Sequence, residues 1–420
     1  MPPVVTSSRR ALSALAASLV VALAGCGGGG GGGASPSSDV ATAAVSTANA
    51  GNSLFPSAQS LAHQCTAEGQ KRWVRSHLDE VYLWHDEVRD VDASGHSSAA
   101  AYFDALLVRG PTRDQFSRVM SSLAADEMEN HALASAQPSA ATAVAATNPV
   151  PLVKTVQTGG GRKVGYVLFN VHSHGAQDAL ISAFQGLRDV GIQDLVLDLR
   201  YNPGGFLYIA NTVAAMVAGP RADGQVFERL QYNRKRSGET SSATMYIDSR
   251  VHTGENVYPA GHDLPRLSLP RLYVLTSGLT CSASESIING LRGVGVQVVL
   301  VGDRTCGKPY GFHRKDNCGM AYYPIEFHVT NAAGFGNYAG GFPVQCRVAE
   351  DPRTALGAGN EPLLAAALRH VDTGSCPAGT TAAGVLLEQT AGPSPLERLG
   401  VPDARSPMYQ PAFNGRRLLP

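Results

Sequence analysis

The stretch TCSASESIING, Thr280 to Gly290, sets three hydroxyl residues (Thr280, Ser282 and Ser284) ahead of an apolar helical pattern. Lys308 follows Ser282 by 26 residues, inside DRTCGKPYG. Upstream, YNPGG places Gly204 and Gly205 behind an Asn-Pro turn. A serine hydroxyl is a weak nucleophile until a base takes its proton. A lysine serves as that base when burial favours its neutral form. A helix start adds partial positive charge that favours a developing anion. Glycines let backbone N–H groups approach an oxyanion with no Cβ in the way. Ser282, Lys308 and the Gly204–Gly205 pair therefore form a coherent set for acyl transfer. Taken singly, each signal is ordinary. A serine before a helix is usually a cap, a loop lysine is usually solvated, and Asn-Pro-Gly-Gly is a common turn.

Joint placement raises the signal. Each of the three segments follows an apolar run that reads as a buried strand: Asp194 to Arg200, Arg271 to Ser277, and Val296 to Gly302. KVGYVLF, Lys163 to Phe169, reads as another. Helical periodicity fills the intervals at Ala176 to Val190, at Tyr208 to Gly219 and after Ser282. The alternation predicts an α/β sheet with helices packed on it, and sites on such sheets lie at the carboxyl ends of strands. Ala67 to Leu107 is helical in pattern, with YLWHDEV (Tyr82 to Val88) closing one helix and Ser98 capping the next.

DLVLDLRYNPGG, TCSASESIINGL and VVLVGDRTCGKPYG resemble the three signature segments of the carboxyl-terminal processing, or tail-specific, serine proteases. The likeness runs from Lys163 to Phe312, and the YLWHDEV region is similar to the N-terminal helical unit of one branch. The resemblance implies a crotonase/ClpP-like β-β-α core, a serine-type peptidase, and a protein or peptide substrate with no cofactor or metal. It makes Ser282 the nucleophile and Lys308 the base. The oxyanion hole is then the N–H of Gly204 or Gly205 together with that of Ala283. Two departures stand out. Many members carry a PDZ domain after the helical unit, but the Ala/Ser-rich stretch between Met120 and Arg162 is too short for one. Many also place glutamine four residues after the lysine. Phe312 stands there, which leaves Glu285, Asn289 or a backbone carbonyl to orient Lys308.

The N-terminus carries Arg9 and Arg10, then a short apolar run from Ala11 to Ala22, too short to span a bilayer. LAGC, Leu23 to Cys26, resembles a bacterial lipobox, which makes Cys26 the lipidated first residue of the mature chain. Gly27 to Gly33 suit a tether. The expected organisation is a lipoprotein signal peptide (1–25), a Gly/Ser/Ala-rich tether (26–58), an N-terminal helical domain (59–120), a linker or PDZ remnant (121–161), a serine protease core (162–380) and a C-terminal tail (381–420). The expected location is the bacterial envelope, facing the periplasm. Gly27 lacks the aspartate that commonly retains such proteins at the inner membrane. With 34 basic and 34 acidic side chains, the formal charge of zero offers nucleic acid no general attraction.

Export implies an oxidising compartment, so the six cysteines after Cys26 are read as disulfide partners rather than zinc ligands. A Cys306–Cys318 bridge across the lysine loop is the expected pair, with Cys281–Cys306 and Cys318–Cys346 as competitors. Rival catalytic groups are Ser284 as nucleophile, and His172, His174 or His313 as base. A Ser–His–Glu site on the same fold, a non-catalytic peptide-binding lipoprotein and an acyl-CoA enzyme of crotonase type are the competing functions. Retention of Ser282, Lys308 and both glycines argues against a degenerate binding module. Export argues against the acyl-CoA enzyme.

Overall fold

The computed structural model describes residues 54–110, 113–130, 148–379 and 416–417. Cys26, the glycine run and the expected signal peptide lie outside the described residues.

The N-terminal unit starts with α1 (Ala58–Leu61), α2 (Ala67–Val81) and α3 (Ala99–Leu106), followed by β1 (Arg118–Ser121) and α4 (Ser122–Asn130). Thr66 caps α2, its hydroxyl oxygen accepting from Gly69 N at 3.1 Å, and Ser98 caps α3 in the same way. Trp73, Val74 and Leu78 bury one face of α2. YLWHDEV does not extend that helix. Tyr82 adopts an extended backbone, and Asn233 Nδ2 donates to the carbonyls of Glu80 and Tyr82, both at 3.0 Å. This outside amide satisfies the helix end, so the chain can turn away there.

The core continues with β2 (Leu152–Gln157), β3 (Lys163–Leu168), α5 (Ala176–Val190), β4 (Asp194–Asp198), β5 (Gly205–Phe206) and α6 (Leu207–Ala218). Next come β6 (Val226–Tyr232), α7 (Ser237–Ser242), β7 (Thr244–Tyr246), β8 (Arg271–Thr276), α8 (Ala283–Gly293) and β9 (Gln297–Gly302). The remainder is β10 (Tyr310–Gly311), β11 (Lys315–Asn317), β12 (Met320–Tyr323), β13 (Phe327–Thr330), β14 (Cys346–Arg347), α9 (Pro362–Thr373) and β15 (Arg416–Arg417).

The main sheet runs β14-β9-β8-β4-β3-β2, parallel except for β2, which pairs antiparallel with β3. Strand alternation sorts its side chains into two cores. Leu195, Leu197, Leu272 and Val274 join the helices α5, α6 and α8. Val196, Tyr273 and Leu275 face the other way and pack on α9. The result is an α/β core with a small N-terminal helical unit. Within the stretch expected as linker, residues 152–157 form the edge strand β2.

Two further sheets, β10-β13-β6-β7 and β1-β12-β11, flank this core. β12 ends at Tyr323, and β13 starts at Phe327 and pairs with β10 beside the lysine loop. Tyr322 of β12 packs 5.0 Å from the Trp73 ring and 5.4 Å from Phe103, joining the helical unit to this sheet. The expected Cys306–Cys318 bridge is not formed. Cys318 sits in the two-residue turn between β11 and β12 and bonds Cys65 instead, with Cα atoms 5.4 Å apart. That turn therefore meets the start of α2, where Cys65 lies. Cys346 bonds Cys376, and Cys281 bonds Cys306.

Candidate active site

The site forms where β4, β8 and β9 end. Just past β4, Arg200 is buried. Its Nε donates to Asp198 Oδ1 at 2.9 Å, and its two terminal nitrogens donate to Glu361 at 2.8 and 3.0 Å. Tyr166 donates its hydroxyl to Asp198 at 2.7 Å. Burial pulls the guanidinium pKa down, but Asp198 and Glu361 outweigh it and push it well above its usual value. This brace fixes the root of the Tyr201 to Gly205 loop.

Asn202 organises that loop. Its Oδ1 accepts from Gly204 N at 2.9 Å and faces His172 Nδ1 at 3.0 Å, while its Nδ2 donates to Phe169 O at 3.0 Å. An amide oxygen only accepts, so His172 carries its proton on Nδ1. Burial pushes the His172 pKa down to about 3, so the ring is neutral. The Asn202 carbonyl accepts from Cys281 N at 3.2 Å and from Ser284 Oγ at 3.1 Å, which ties the glycine loop to the start of α8.

Gly204 (φ +100°) lies against the serine turn. A Cβ on it would fall 2.8 Å from Ser282 Cβ and 2.9 Å from Ala283 N. A Cβ on Gly205 (φ +133°) would fall 2.2 Å from His172 O. No side chain fits at either position.

Ser282 precedes α8 with φ 56° and ψ −117°, and it is fully buried. A non-glycine residue in this region carries about 1–3 kcal/mol of strain. Lys308 is also fully buried, its Nζ lying 4.5 Å from the centre of the Phe312 ring and 5.1 Å from that of Phe116. Phe116 comes from the N-terminal unit, which therefore supplies one wall of the lysine pocket.

Glu285 joins the two loops. Oε2 accepts from the backbone N–H groups of Ser282 at 3.0 Å and Lys308 at 2.8 Å. Oε1 accepts from Thr305 Oγ1 at 2.6 Å and Gly307 N at 2.9 Å. Burial raises the Glu285 pKa, and these four donors oppose the rise. The Cys281–Cys306 disulfide spans the same gap, with Cα atoms 5.2 Å apart. Glu285 thus holds the backbone of the lysine loop.

The other named residues are engaged elsewhere. Asn289 donates to Phe335 O at 3.2 Å and accepts from Asn331, holding the 331–335 loop. His313 Nδ1 lies 2.8 Å from Glu326 Oε2, and its ring stacks on Tyr232. The His174 ring packs 5.0 Å from Phe206. Beyond Lys308, a cavity of about 550 Å³ is lined by Leu83, Trp84, Tyr310, His328, Phe335 and Ala339. Sequence reasoning missed Phe116 and the keystone role of Asn202. The asparagine of YNPGG was a usable signal, whereas nothing local marked Phe116.

Residues 163–316 match Peptidase family S41, and residues 69–118 match the Peptidase S41 N-terminal domain. Over these two stretches the chain is similar to the S41 peptidases, and its curated relatives are carboxyl-terminal-processing proteases. It is 30% identical over 182 residues to a carboxyl-terminal-processing protease of Picosynechococcus, a match covering 43% of this chain and 38% of that one. It is 32% identical over 154 residues to the chloroplastic carboxyl-terminal-processing peptidase 3 of Arabidopsis thaliana, covering 37% and 25%. The chain thus spans less than two fifths of the length of these relatives. A crystal structure of an S41-type chain from Bacteroides fragilis shares the fold, with a TM-score of 0.56 at 20% identity, over 71% of this chain and 97% of that one.

Proposed function

We propose that the chain is an exported, lipid-anchored serine endopeptidase that cleaves peptide bonds of envelope proteins through Ser282 and Lys308. The observation that carries this reading is Ser282 itself. A buried serine is held in a strained backbone at a helix start, and Gly204 packs so closely that no Cβ fits. Strain of this kind persists where the surroundings enforce it, and it gathers at functional sites.

In the proposed reaction, neutral Lys308 takes the Ser282 proton, and Oγ attacks the substrate carbonyl carbon. Enclosure away from water penalises an ammonium and so favours the uncharged base. The oxyanion is held by the N–H of Ala283 and, because Asn202 engages the N–H of Gly204, by that of Gly205. Lys308 returns the proton to the leaving amine. Water then attacks the acyl-enzyme carbonyl, giving up its proton to Lys308, and Lys308 passes that proton to Ser282 Oγ as the acid leaves, which restores both groups. The His313–Glu326 contact favours a structural role for that histidine.

The test is cleavage of unfolded casein by the purified chain. Ser282→Ala and Lys308→Ala should each abolish it with the fold intact by circular dichroism, while His313→Ala retains it. Activity in Lys308→Ala would remove the lysine from the mechanism. Anchoring is tested separately by fatty-acid labelling of wild type and Cys26→Ser, and equal incorporation rules the anchor out. No helix among the described residues is long and apolar enough to cross a membrane.

A further inference from the structure

The strand β15 (Arg416–Arg417) pairs in parallel with β5, Arg416 opposite Gly205 and Arg417 opposite Phe206. It also lies beside β10. β5 begins at Gly205 of the glycine loop, and β10 begins two residues past Lys308. Arg416–Arg417 therefore lie between two walls of the site, one leading to the oxyanion glycines and the other to the lysine. Among the described residues, β15 is the strand that pairs with β5, whose other side is held by a single bridge from Gly205 to His172. A strand edge of this kind takes up an extended peptide through its main chain, whatever the side chains.

We propose that the chain's own segment around Arg416–Arg417 is the resident occupant of the peptide groove, an intramolecular strand on β5 that a substrate must displace. The proposal rests on the peptidase reading for its consequence, but its contact is a backbone pairing independent of the chemistry. It also sets the binding mode of the substrate, an extended peptide added in parallel to β5. α9 and the Cys346–Cys376 bridge pin the chain near its departure from the core, and residues 380–415 give ample length to return. A covalently linked occupant competes at high effective concentration without needing high intrinsic affinity.

The test uses the full chain. Arg416→Pro with Arg417→Pro removes two main-chain donors from the added strand and leaves the core untouched. Casein cleavage should then show KM about tenfold lower with kcat within about twofold, as expected when an occupied fraction of sites is released. An unchanged KM overturns the proposal. A second arm reads binding alone. A fluorescein-labelled peptide of residues 411–420 is titrated, by anisotropy, into Ser282→Ala chains with and without the two prolines. The proline chain should bind it about tenfold more tightly, and equal binding or none to either overturns the proposal. If casein is cleaved by neither chain, the peptidase reading fails while the binding arm still decides the occupant.

Discussion

The backbone N–H groups of Ser282 and Lys308 converge on one atom, Glu285 Oε2, at 3.0 and 2.8 Å. The two residues come from loops after different strands, and this buried carboxylate sets their backbones relative to each other. Its companion oxygen takes Thr305 and Gly307 from the lysine loop.

Glu285→Gln keeps the volume but puts an NH2 group in front of two donors. Either the Ser282–Lys308 pair or the Thr305–Gly307 pair loses its acceptor. The expected outcome is a kcat about 100-fold lower, since small displacements at a reacting centre cost rate on that scale. KM should change little, because the residue is not on the groove wall. Steady-state kinetics on casein decides it, and a variant with kcat within twofold of wild type would show that the shared acceptor does not position the pair.

The backbone of Ser282 offers a stability test that is independent of activity. At φ 56° alanine is as strained as serine, and glycine is not. Ser282→Gly should therefore be more stable than Ser282→Ala by about 1 kcal/mol, after allowing for the extra freedom of glycine in the unfolded chain. Urea midpoints of the two variants measure it. Equal midpoints would mean that the conformation carries no strain.

How much of this was legible beforehand divides along physical lines. The strand–helix alternation was plain from periodicity, and α5 begins and ends where its apolar stripe does, at Ala176 and Val190. Ser282, Lys308 and the glycines stood out because their chemistry needs particular residue types at strand ends. What stayed hidden depends on contacts distant in sequence. Tyr82 leaves α2 because Asn233 satisfies its carbonyls. Cys318 finds Cys65 across a separation of 253 residues, which no local turn signal encodes. Phe116 reaches Lys308 because the helical unit docks on β12, and periodicity does not report docking.

Two disulfides of similar loop length separate stability from positioning. Cys281–Cys306 spans 25 residues and Cys346–Cys376 spans 30. Replacing either pair by serines should cost a comparable amount, about 3 kcal/mol by loop-closure entropy. Ser282 and Lys308 flank the first bridge, so its loss should also lower kcat at a temperature where both variants are folded. Loss of the second should not. Thermal melts and casein kinetics on the two double variants test this, and an equal effect on kcat would assign the first bridge a purely structural role.

His172 and His77 are both buried, and burial pushes their pKa values down to about 3 and about 4. In the unfolded chain each returns to about 6.5. Between the folded and unfolded values the unfolded state binds a proton that the folded state refuses, so lowering the pH favours unfolding. Stability should therefore fall from about pH 6.5 downward, each histidine contributing at most about 1.4 kcal/mol per pH unit, with no such contribution above pH 7. Carboxylates add their own slope, so the informative quantity is a difference between variants. His172→Gln keeps an amide donor for Asn202 but cannot titrate. It should be less stable than wild type at pH 8, because it breaks the packing against Phe169, whose ring lies 4.4 Å from the imidazole. The deficit should shrink as the pH falls towards 4, because wild type alone carries the protonation penalty at this position. Urea midpoints at pH 4, 6 and 8 provide the measurement. A deficit that stays constant across that range would mean that His172 does not titrate differently in the two states.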